Sequence, residues 1–144
     1  MMNGLDFPGA THQDIRGAVQ HLLNTSTKVA VMGFCMGGAL TLASAVHVPE
    51  CSAGICFYGI PPEEFASPKD IRVPFQGHFA NQDDWCTPTA VDELENTLQQ
   101  AKVGHSIFRY DAAHAFFNEQ SDAYNVAAQR DSWARATNFL EETL

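Results

Sequence analysis

The chain has 144 residues, 45% of them hydrophobic and 17% charged, the make-up of one globular domain with a core of its own. A formal net charge of −9 argues against nucleic acid or an anionic membrane surface as partner, because both select for basic surfaces. No apolar run approaches membrane-spanning length, so a spanning segment is excluded as well.

In chain order, the residues before about Thr11 read as an unstructured lead containing Pro8 and Gly9. Thr11 fits an N-cap with Asp14 three positions on, and Ile15, Ala18, Val19 and Leu22 then repeat at helical spacing. Lys28–Phe34 is apolar without alternation, as in a parallel strand buried on both faces. It runs into Gly33-Phe34-Cys35-Met36-Gly37-Gly38 and the apolar stretch 39–43, which predicts strand, sharp turn and a helix reaching Val46 or His47. Cys51–Tyr58 reads as a second strand stopped by Gly59 and Pro61-Pro62, and Val73–Phe79 as a third with Pro74 tolerated near its start. Residues 81–86 read as a polar loop. Thr87-Pro88 is an N-cap followed by proline at the first helical position; Val91, Leu94, Leu98 and Ala101 continue that helix, and Gly104 is expected to close it. His105–Tyr110 is a fourth strand, Asp111–Asn118 a loop, and a last helix starts near Asp122 with Trp133, Ala136 and Leu140 on one face.

This alternation implies an α/β fold with a mostly parallel sheet of about four strands flanked by helices. Ligands of such sheets bind beyond the carboxyl ends of the strands. Cys35 follows the first strand, Asp83 and Asp84 the third and His114 the fourth, so all fall on one rim. At that turn Cys35 sits at a helix N-terminus, where the dipole and free N–H groups favour a thiolate. The Met36 N–H is placed to receive an oxyanion, and Gly33 and Gly37 allow close approach of strand and helix. The competing reading is a buried, unreactive cysteine in a packing turn.

His114 would take and return the proton, with a carboxylate orienting its ring. Its aromatic neighbours Phe116 and Phe117 would equally suit a structural histidine, and His78 competes from the end of the third strand. His12, His21, His47 and His105 read as surface or helix residues. Asp83 and Asp84 cannot both orient one imidazole; the other is a solvated loop carboxylate or a charge at the next helix N-terminus. Trp85 and Cys86 are candidates to line the pocket, with Trp85 equally able to lid the core, and Tyr58 could reach substrate. Cys35, Cys51, Cys56 and Cys86 show no CxxC pair, and no histidine pair has metal-ligand spacing with a third ligand, so neither a metal nor a redox site is indicated. The start of the chain shows no secretory pattern, which leads to the expectation of a reducing, cytoplasmic setting.

Three stretches together resemble the dienelactone hydrolase family of α/β hydrolases, the carboxymethylenebutenolidases. They are Gly33-Phe34-Cys35-Met36-Gly37-Gly38, His78-Phe79-Ala80-Asn81-Gln82-Asp83 leading to Pro88, and Tyr110-Asp111-Ala112-Ala113-His114-Ala115-Phe116. The resemblance implies Cys35 as nucleophile, Asp83 as acid and His114 as base, acting on esters and lactones through a thiol acyl-enzyme with no metal or organic cofactor. Distance from His78-Phe79 selects Asp83, whereas counting back from Pro88 favours Asp84.

The family fold has further strands before the helix at Thr11, so residues 1–144 read as a single, N-terminally truncated domain corresponding to the C-terminal part. The missing segment would supply a second oxyanion N–H and, in dienelactone hydrolase itself, an acidic residue that interacts with the resting cysteine. Asn118 stands where that enzyme has an arginine for its substrate carboxylate, which argues against dienelactone as substrate. Two expectations follow. One is a cofactor-free cysteine hydrolase of small esters or lactones. The other is an inactive remnant that oligomerises, for instance as a homodimer, through the exposed edge of the first strand.

Overall fold

In the computed structural model, residues 4–144 are described. Four strands form one parallel sheet in the order β1-β2-β3-β4: β1 (Ala30–Phe34), β2 (Ala53–Phe57), β3 (Phe75–Gln82) and β4 (His105–Ala113). Its helices are α1 (Phe7–Gly9), α2 (Arg16–Leu22), α3 (Met36–His47), α4 (Pro88–Gln100) and α5 (Val126–Thr143). This is the α/β architecture expected from the alternation of apolar runs and amphipathic stretches.

Successive strand residues point to opposite faces, and the core divides accordingly. Phe75 and Phe79 pack with Leu42, Val91, Leu94 and Leu98, so α3 and α4 cover one face. Ile55, Phe57, Ala80 and Tyr110 pack with Phe116, Ala128 and Ala136, so α5 covers the other. A third cluster of Val19, Val29, Val48 and Cys51 seats α2. β2 is buried throughout, whereas among the described residues β1 pairs with β2 alone and carries Met32 at 37% exposure.

Across the α5 face one aromatic row follows the strand register, Phe34↔Phe57↔His78↔Phe108. The rings stack at 4.4, 4.5 and 5.5 Å, and the Arg135 guanidinium caps the row 4.1 Å from the Phe108 centroid.

Several boundaries depart from the sequence expectation. The lead before Thr11 is helical from Phe7: the Asp6 carboxylate accepts from Gly9 N at 3.0 Å, Pro8 occupies the first turn where no N–H is needed, and buried Phe7 packs on Phe65. Thr11 is therefore a buried residue within a π-helical segment (Ala10–Ile15), not a cap. β3 and β4 run on to Gln82 and Ala113, through stretches that read as loop. α4 is closed by Lys102 at φ 57, not by Gly104. α5 starts at Val126 because Asn125 is the residue whose side chain caps it, accepting from Ala128 N at 3.0 Å. On α5, Ala136 is buried, but Trp133 is 44% exposed. No helix among the described residues is long and apolar enough to cross a membrane.

Candidate active site

The turn between β1 and α3 holds Cys35 at φ 56, ψ −119, a left-handed conformation that L side chains avoid. The packing around the turn fixes it there. A Cβ at Gly33 would collide with the Gly37 carbonyl, and one at Gly59 with the Cys35 carbonyl. Gly37, expected to make a close approach, faces open space, and its neighbour Gly38 instead abuts the Phe57 carbonyl. Strain is concentrated here: of the four non-glycine residues with positive φ among the described residues, Cys35, Tyr58 and Ala115 lie around this turn.

β3 and β4 bring the other two groups. Their pairing shifts between Ala80 and Gln82, after which Gln82 pairs with Ala113. The next residues on the two strands, Asp83 and His114, thus leave the sheet side by side. The Asp83 Oδ1 accepts from the Trp85 and Cys86 N–H groups at 2.8 and 3.0 Å. Its Oδ2 accepts from His114 Nδ1 at 2.7 Å. On the far side of the ring, Nε2 lies 3.2 Å from Cys35 Sγ. Cys35, His114 and Asp83 are therefore in one line of contact, whereas Asp84 is exposed.

The Asp83 hydrogen bond, opposed by burial and helped by the Cys35 contact, raises the His114 pKa from 6.5 to about 9. Burial pushes Asp83 up, but the His114 and backbone hydrogen bonds outweigh it and hold its carboxyl below the ordinary value.

The remaining candidates fall as follows. Met36 is the first residue of α3, so its N–H has no intrahelical acceptor. The Tyr58 ring sits edge-on to His114 at 4.9 Å, and Trp85 lies 5.6 Å from His114 while also packing on the α4 side of the core. Cys86 is fully buried in the core cluster with Phe79, Val91 and Leu94 and does not line the pocket. His78 is enclosed: Nε2 donates to Gln76 Oε1 at 2.9 Å, Nδ1 accepts from the Tyr110 hydroxyl at 2.8 Å, and burial lowers its pKa to about 3. It is a neutral core residue. His12 and His21 are exposed, and His47 and His105 bond backbone carbonyls.

Beside Cys35 opens a pocket of about 330 Å³ lined by Phe34, Tyr58, Ala115, Phe117 and Asn118. Phe34 and Phe117 carry no mark in the sequence that sets them apart as pocket residues. The available signal is their nearness in sequence to Cys35 and His114; what brings them together is packing of both rings on Phe57, Phe34 through the β1–β2 register and Phe117 from beyond β4, which a sequence does not display. Among the described residues, no group of three or more His, Cys, Asp or Glu side chains is arranged to hold a metal ion.

Comparison with known proteins bears on the family and the fold. A Saccharolobus solfataricus protein provisionally named carboxymethylenebutenolidase is 34% identical over 113 residues, which is 78% of this chain and 44% of that protein. The chain thus spans about half the length of the curated relatives it matches. A Klebsiella pneumoniae structure provisionally identified as a dienelactone hydrolase superposes with a TM-score of 0.80 at 22% identity, covering 87% of this chain and 57% of that one. A dienelactone hydrolase-like promiscuous phosphotriesterase from metagenomic libraries gives 0.75 at 22% identity, covering 94% and 65%. These two likenesses are of fold. The family model described as dienelactone hydrolase family matches residues 2–144, and the chain belongs to that family.

Proposed function

We propose that this chain carries the nucleophile, base and acid of a cysteine hydrolase of small esters or lactones. The observation that carries the reading is the unbroken line Cys35 Sγ–His114–Asp83, with contacts of 3.2 and 2.7 Å, at the carboxyl ends of parallel strands. With its pKa near 9, His114 is charged at neutral pH and holds the proton taken from the thiol. Cys35 Sγ attacks the substrate carbonyl; a C–S bond forms and the C–O bond to the alcohol breaks. The departing oxygen takes the Nε2 proton, while the Met36 N–H faces the carbonyl oxygen as negative charge develops there. Water then returns a proton to Nε2, its oxygen bonds to the acyl carbon and the C–S bond breaks. No metal or organic cofactor enters these steps. The four unpaired thiols suit a reducing compartment, and we place the protein in the cytoplasm.

The test is acetylation by para-nitrophenyl acetate. One acetyl group is expected on Cys35, located by peptide mass. Cys35→Ala is expected to lower para-nitrophenol release by about three orders of magnitude. Acetylation elsewhere, or activity retained in the variant, overturns the assignment.

A second reading is an inactive module that associates through β1. It is favoured by one observation, the unpaired edge of that strand beside exposed Met32 and Leu22.

A further inference from the structure

The two sides of the Cys35 sulfur are built differently. His114 touches Sγ but does not line the 330 Å³ pocket, which lies on the Phe34–Phe117 side. A leaving oxygen has to sit next to Nε2 to be protonated. The other substituent of the attacked carbonyl, the acyl group, then has to point away from His114, into this pocket.

Its walls are apolar and held in place. The Phe34 and Phe117 rings are 4.9 Å apart. Phe34 is backed by the stacked Phe57 ring, and Phe117 by Phe57 at 5.3 Å and Trp133 at 5.9 Å. None of the chain's eight Lys and Arg residues, and none of its carboxylates, is in the lining. An acyl group carrying a carboxylate would lose water there and meet no cation, in a chain already at net charge −9. An aromatic acyl group would bury its ring against two aromatic walls in offset or edge-on geometry. At the mouth, Asn118 Oδ1 already accepts from Gln120 N at 3.0 Å, which leaves its amide N–H groups for a neutral acceptor.

We propose that the Phe34–Phe117 pocket is the acyl site and selects esters with uncharged aromatic acyl groups. This rests on the hydrolase reading above and adds the substrate class to it. In the acylation step the C–S bond forms, the C–O bond breaks and the leaving phenoxide takes the proton from His114.

The experiment compares para-nitrophenyl benzoate, acetate and hemisuccinate, which share one leaving group, on the 144-residue chain. Acylation is followed by para-nitrophenol release and by peptide mass at Cys35. Each rate is divided by that of N-acetylcysteine with the same ester, to remove intrinsic reactivity. Benzoyl transfer is expected to exceed both acetyl and succinyl transfer by about tenfold or more. Phe117→Ala should lower the benzoyl-to-acetyl ratio by about tenfold, and Phe117→Leu should lower it less while keeping the bulk that supports folding. No Cys35 adduct with any ester overturns the hydrolase reading itself. Adducts at Cys35 with equal rates, with a preference for the succinyl ester, or with a ratio that Phe117 substitution does not move, overturn the acyl-site assignment alone.

Discussion

Asp83 has both carboxylate oxygens engaged, one by the backbone of its own loop and one by His114. It thereby fixes the loop and the ring with one buried side chain, and this has a measurable electrostatic consequence. The His114 pKa is raised to about 9 from 6.5, so the stability contributed by the Asp83–His114 contact is fully present below pH 6.5 and is lost as pH rises through 9. In Asp83→Asn the charge of that partner is gone. The His114 midpoint, followed by NMR of the ring protons, is expected to fall from about 9 towards 6.5. The difference in melting temperature between wild type and variant should narrow as pH rises across that window. A midpoint unchanged in the variant refutes the assignment of Asp83 as the ring's partner. At this scale Cys35 and His114 were legible from the sequence, because glycines and strand ends mark them. Between Asp83 and Asp84 the sequence left two counts in conflict, and the distance from His78-Phe79 pointed to the residue that meets His114; the two adjacent carboxylates differ in which way the chain turns after Gln82. That turn is set by pairing with β4.

At the scale of elements, helix caps and strand ends show how far local sequence reaches. The start of α4 was readable because Thr87 and Pro88 act locally, with Thr87 Oγ1 accepting from Ala90 N at 3.2 Å. Its end was not. The Lys102 N–H bonds the Gln99 carbonyl and the Val103 N–H bonds the Leu98 carbonyl, a Schellman closure with a lysine in the position that favours glycine. Val103 packs against the cluster that contains Leu98, and that contact holds Lys102 at φ 57 despite its Cβ. Lys102→Gly should therefore stabilise the chain by about 0.5–1 kcal/mol by removing the left-handed penalty. The melting temperature would rise by about 2 °C, and a fall would show that the lysine side chain contributes more than its backbone costs. The strand ends tell the complementary story. Asn81 and Gln82 look like loop residues, yet β4 pairs with Gln82 beyond the irregularity at Asn81, and Gln82 Nε2 donates to Asp111 Oδ1 at 2.6 Å. Only non-local pairing could extend β3, and that extension delivers Asp83 to His114.

Across the whole molecule, the sheet is covered on both faces but open along β1. Helices α3 and α4 shield one face and α5 the other. Along the open side, Ala18, Leu22, Val29, Val31 and Met32, together with Asp14, line a largely apolar groove between α2 and β1. Met32 is 37% exposed and Leu22 48%, and no lysine or proline interrupts β1. Natural edges are blunted by such residues, so in the 144-residue chain taken by itself this edge is a template for another strand. A second copy of this chain can supply that strand, because its own β1 has the same open edge and the same apolar flank. The strand is only five residues long and offers a short backbone ladder, so the association is expected to be weak and concentration-dependent. Sedimentation velocity over a concentration series should then show monomer passing to dimer in the micromolar range or above. Met32→Lys, which sets a charge beside the edge without touching the buried core, should move the equilibrium back to monomer. A wild-type chain that stays monomeric throughout, or a dimer indifferent to Met32→Lys, would place the self-contact elsewhere or remove it.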